Sequence, residues 1–135
     1  FDRELWRAVC DINLFTPMRL CELLVENVAR ADNGRMVTIS SMLGSMELNT
    51  SGGIYAYRAS KAAVNAIMKS MAIDLAERGV IAIALHPGWV RTHMGGPEAP
   101  LDVETSIRGM RSVIDGLRLQ DSGEFLSWDG SKLPW

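Results

Sequence analysis

Six consecutive apolar residues, Val80-Ile81-Ala82-Ile83-Ala84-Leu85, stand between Gly79 and the break His86-Pro87-Gly88. A run this short with no polar alternation suits a β-strand covered on both faces, the situation of a strand inside a parallel sheet flanked by helices. A second strand is predicted at Arg35-Met36-Val37-Thr38-Ile39, which alternates and carries β-branched residues. Helical spacing of apolar residues predicts helices over residues 3–30, from about Tyr57 to Glu77, and over 103–119, with Gly79 as the C-cap of the second. Residues 123–128 read as a last short strand and Asp129-Gly130 as a turn. Strands alternating with helices predict an α/β chain.

Within this frame Tyr57 and Lys61 stand four residues apart on one helix, hence on one face, with the ammonium within reach of the phenol. A fixed positive charge beside a phenol favours its anion and brings proton transfer to or from a substrate oxygen into the neutral range. Tyr55 is the competing acid, but the residue four on from it is Ala59, which supplies no charge.

The strand 35–39 runs into Ser40-Ser41, so a hydroxyl stands at a strand's C-terminal end, the rim where open parallel sheets bind ligands. The period of two points the two serines to opposite faces, so only one of them looks into a site. Pro17 lies inside the first helical stretch and frees the carbonyl of Asn13, four residues back, which predicts a local kink able to hold an ordered water. After the second strand, Pro87-Gly88-Trp89-Val90-Arg91-Thr92 lets the backbone pass close to a flat ligand, with main-chain groups at Val90 and a hydroxyl at Thr92.

Asn13, Ser41, the Tyr57/Lys61 pair and the 87–92 segment occur in the order, and close to the spacing, of the short-chain dehydrogenases/reductases. Gly44-Ser45, Gly52 to Arg58 and His86-Pro87-Gly88-Trp89 resemble most the sniffer-type carbonyl reductases and the C-factor-like proteins. The resemblance covers essentially the whole chain. It implies part of a Rossmann-type doubly wound parallel sheet and hydride transfer between a nicotinamide cofactor and a carbonyl or alcohol. Tyr57 would protonate the carbonyl oxygen, Ser41 rather than Ser40 would polarise it, and Lys61 would assist Tyr57 and bind the nicotinamide ribose. Asn13 would relay protons through a water, and Pro87, Gly88, Val90 and Thr92 would line the nicotinamide site. Met42 and Trp89 would face the substrate. The resemblance favours NADPH over NADH and allows a homodimer through the helices carrying Asn13 and Tyr57. It also admits a second class, a non-catalytic signalling or interaction protein on the same scaffold.

A dinucleotide-binding domain opens with a strand, a glycine-rich turn and a helix, and no strand precedes a helix in the first 30 residues. The chain is therefore expected to be the C-terminal part of such a domain, with the residues that choose between NADP and NAD outside it and little activity alone. A net charge of -2 with no basic block argues against nucleic acid, and no apolar run reaches bilayer length. Cys10 and Cys21 lie eleven residues apart on one predicted helix, about 16 Å along its axis, too far to bond to each other. Reduced thiols suit a cytoplasmic protein. His86 and His93 lack metal-ligand spacing, so no metal is expected.

Overall fold

A computed structural model describes all residues, Phe1–Trp135. Three parallel strands, β1 (Arg35–Ile39), β2 (Ile81–His86) and β3 (Phe125–Ser127), form one sheet in the order β1-β2-β3. Parallel neighbours need a crossover, and helices α3 (Tyr55–Asp74) and α4 (Val103–Gly116) supply the two. Ahead of them lie α1 (Arg3–Cys10) and α2 (Thr16–Val28). The expected α/β architecture is the observed one.

The apolar run behaves as a doubly covered strand. Every residue of β2 is buried. Ile81, Ile83 and Leu85 pack with Leu117 and Leu126, against Met110, Val113 and Ile114 of α4. On the other face Ala82 and Ala84 join Met68 and Ala72 of α3, with Leu75, Val80 and Phe125. The division of labour follows from side-chain size: large residues fill the α4 side, while alanines leave room for α3 to lie close over the sheet. The register Ile39↔Leu85 and His86↔Ser127 brings the three strand ends to one rim.

Several boundaries differ from expectation. His86 is the last residue of β2 rather than part of the turn, because the ladder with β3 extends to Ser127. The second helix ends at Asp74, followed by a 3₁₀ turn at Ala76–Arg78 capped by Gly79, and α4 ends at Gly116. The first helical stretch is continuous but contains a π turn at Asp11–Phe15, in which the Thr16 N–H donates to the Asp11 carbonyl. Pro17 follows it at the second residue of α2, inside the continuous stretch, where it offers no N–H to the Asn13 carbonyl four residues back. The irregularity expected at Asn13 is thus a widened turn, a form such insertions commonly take near functional sites.

Candidate active site

The geometry begins with α3. Ile54, in the left-handed region at φ 39°, reverses the chain, and α3 starts at the next residue, which puts Tyr57 in its first turn. Lys61, one turn on, is buried, and its Nζ lies 5.7 Å from the centroid of the Tyr57 ring. The same amine donates to the Ile39 carbonyl at 3.0 Å, so the helix pair is tied to the end of β1. Burial lowers the Lys61 pKa from its ordinary value. The Tyr57 side chain is half-buried, whereas Tyr55 is exposed.

The end of β1 divides as the strand period requires. Ser40 extends the ladder through its N–H to the Leu85 carbonyl (2.8 Å) and turns its hydroxyl to Asn65 of α3. Ser41 caps the 3₁₀ turn Met42–Gly44, its Oγ accepting from the Leu43 N–H at 3.2 Å. That bond uses only a lone pair, which leaves the Ser41 proton to donate. Gly44 closes this turn onto α3: a Cβ there would stand 2.8 Å from the Lys61 carbonyl carbon. Sequence reading gave Gly44 no role beyond its motif, yet this close approach sets the distance between the serine turn and Lys61.

Asn13 reaches the site through Ser60. Its Nδ2 donates to the Ser60 hydroxyl (3.1 Å), which in turn donates to the Tyr57 carbonyl (2.8 Å). The π turn of the first helix is therefore fastened to the backbone under Tyr57. Ser60, 1% exposed, is the second residue that sequence reading passed over. No local signal marks it: the hydroxyl gains its role only when the first helical stretch packs on α3 and brings Asn13 to it.

At the end of β2, Gly88 has φ 87°, and a Cβ on it would collide with Leu101 and Trp128, 2.7 and 2.8 Å away. The loop beyond is held by a short parallel pairing of Val90 with Leu101, in which the Arg91 N–H donates to Leu101 and the Leu101 N–H to Trp89. This register leaves the Val90 N–H without a backbone partner and its carbonyl with only the Thr92 hydroxyl, 3.4 Å away. Ser106 of α4 donates to the Pro87 carbonyl at 2.6 Å and holds the turn from behind. Trp89 is exposed but fixed through its Nε1 to the Gly95 carbonyl (2.8 Å), and Met42 is exposed beside Ser41. No hydrogen bond joins the 87–92 segment to Tyr57 or Lys61; the pairing of β1 with β2 alone brings them to the same rim.

Cys10 and Cys21 are free thiols, and burial pushes the Cys21 thiol up. No helix is long and apolar enough to cross a membrane.

Three parallel strands covered by helices, with the Tyr57/Lys61 pair on α3 and Ser41 two residues past the end of β1, make a Rossmann-type scaffold. Residues 1–100 match the short chain dehydrogenase family, and the chain belongs to it. Within the family it falls in the sniffer and C-factor-like subgroup. It is 44% identical over 124 residues to C-signal of Myxococcus xanthus, covering 92% of this chain and 75% of that protein. Its whole length superposes on the carbonyl reductase Sniffer of D. melanogaster with a TM-score of 0.97 at 35% identity. The NADPH-bound carbonyl reductase from chicken fatty liver follows with 0.92 at 31%. The chain spans 59% of the length of each of these two reductases.

Proposed function

We propose that this chain carries the proton-transfer half of an NADP(H)-dependent carbonyl reductase, acting on a small carbonyl or alcohol substrate. The observation that carries the reading is the Lys61 amine beside the Tyr57 ring and anchored to the strand end that precedes Ser41. Tyr57 Oη gives its proton to the carbonyl oxygen as that oxygen gains negative charge. The Ser41 hydroxyl donates to the same oxygen and stabilises the developing charge. Lys61, a buried cation, favours the phenolate that remains. Asn13 and Ser60 fix the backbone of Tyr57, and reprotonation through a water held at the π turn completes the cycle.

The donor set fits a nicotinamide cofactor. Lys61 has N–H bonds left after its one bond to Ile39, suited to ribose hydroxyls, and the uncommitted Val90 amide with the exposed Thr92 hydroxyl suits a carboxamide. Pro87 and Gly88, where the chain carries no bulky side chain at Gly88, would let the backbone lie against the nicotinamide. The cofactor would supply the hydride. NADP is favoured over NAD because similar carbonyl reductases are described as bound to NADPH or NADP.

In the full-length protein, Ser41→Ala should lower kcat for carbonyl reduction by about 10²-fold, as removal of one oxyanion donor does elsewhere, while NADPH binding followed by fluorescence is kept. Unchanged kcat in Ser41→Ala would remove Ser41 from the reaction. A signalling role without catalysis is the second reading, favoured by the 44% identity to a protein named C-signal. It predicts no NADPH oxidation with any carbonyl substrate.

A further inference from the structure

Beneath the site lies a polar layer that the proton chemistry does not use. Ser40, Asn65, His86 and Ser127 are 2, 3, 8 and 7% exposed. His86 pairs with Ser127 across β2 and β3, and Ser40 follows Ile39, which pairs with Leu85, so the three lie side by side at the strand ends. Alternation along β2 puts His86 on the α3 face with Ala82 and Ala84. Asn65 stands on α3 one turn beyond Lys61 and accepts from the Ser40 hydroxyl at 2.5 Å.

Two atoms in this layer are buried without a partner, Asn65 Nδ2 and His86 Nδ1. Buried polar atoms are nearly always satisfied, by protein or by ordered water. The two are complementary: an amide nitrogen only donates, and the Nδ1 of a neutral imidazole accepts when the proton sits on Nε2. Burial holds His86 toward its neutral form, opposed by the charge of Asp129 beyond β3. An interior water with one donor and one acceptor on hand is a common occupant of such a gap.

We propose that Asn65 and His86 are joined through one internal water, so that Ser40, Asn65 and His86 form a positioning network locking the ends of β1 and β2 to α3. Each member adjoins a site residue: Ser40 precedes Ser41, Asn65 follows Lys61 by one turn, and His86 precedes Pro87-Gly88. The network exists whether or not the chain is catalytic; its effect on turnover rests on the proposed function above.

The test is NMR of the imidazole nitrogens, with exposed His93 as internal reference. His86 should show one tautomer, protonated at Nε2, with Nδ1 as acceptor. Asn65→Asp, an isosteric change that puts a carboxylate against the water, should raise the His86 titration midpoint by about one pH unit, as a nearby opposite charge does. A proton on Nδ1, or a midpoint that Asp leaves in place, overturns the proposal. In the full-length enzyme, His86→Leu should lower kcat about tenfold with KM little changed, and His86→Asn, whose Oδ1 replaces the Nδ1 acceptor, should restore it. If neither variant alters kcat while the NMR result holds, the network stands without the positioning role; if wild type shows no turnover, the failure lies with the proposed reaction.

Discussion

β2 is apolar throughout and the first helical stretch carries apolar residues at helical spacing, yet their fates in the fold are opposite. No residue of β2 is exposed, whereas no residue of α1, the π turn or α2 is fully buried. Leu5, Ile12, Phe15, Leu20, Leu23 and Leu24 are each at least half exposed. The cause is position in the sheet. Within this chain, which spans 59% of the length of the two reductases it superposes on, β2 has strands on both sides and helices on both faces, while β1 has a strand on one side only and α2 borders a groove along it from Pro17 to Val28. The site sits between the two regimes, with Lys61 and Ser41 buried and Asn13 and Tyr57 half-buried.

This contrast yields measurable differences. The largest is in truncation: Ile83→Ala should cost about 2 to 5 kcal/mol in urea unfolding, and Leu23→Ala, 56% exposed, well under about 1 kcal/mol. Equal costs would mean that the groove beside α2 is filled in solution. Next is Gly44→Val, which should cost about 1 to 3 kcal/mol through overpacking on Lys61. Ile54→Gly should act in the other direction, because a β-branched residue at φ 39° is strained; a gain of about 1 kcal/mol is expected, and a loss would show that the Ile54 side chain contributes packing that outweighs the strain.

The pH dependence adds a further contrast through two buried bases. Both Lys61 and His86 have folded pKa values below their ordinary ones because burial disfavours charge. Between the folded and unfolded values the unfolded chain binds more protons, so stability rises with pH in that window. For His86 the window lies below pH 6.5, and stability falls as pH drops through it; for Lys61 it lies below pH 10.5, and stability climbs toward that value. His86→Asn should flatten the acid limb and Lys61→Met the alkaline one. The smallest effect is expected at the exposed pair Arg108–Glu104 on α4, where Glu104→Gln should change stability by about 0.5 kcal/mol or less.

Local pattern carried much of this. The apolar run of β2 and the i, i+4 pair of Tyr57 and Lys61 each express a periodicity that the structure keeps, whereas β1 buries only Met36 and leaves Ile39 exposed. The same period parts the two serines, as the Ser40 bond to Asn65 and the Ser41 turn illustrate, but only the resemblance chose Ser41 over Ser40. What stayed hidden depends on approach between distant segments. Nothing near Gly44 says that its missing side chain admits Lys61, nothing near Ser60 says that Asn13 will reach it from 47 residues away, and the pairing of Asn65 with Ser40 needs the sheet register. The π turn was also out of reach in detail: Pro17 announced an irregular helix, and tertiary packing chose its form.

The central claim is that Tyr57, held beside the Lys61 amine, is the proton donor. It is tested most directly by kcat for carbonyl reduction in full-length Tyr57→Phe, with NADPH binding measured in the same preparation. The account predicts a fall of at least about 10²-fold with cofactor affinity retained. Full turnover without the phenol would contradict it.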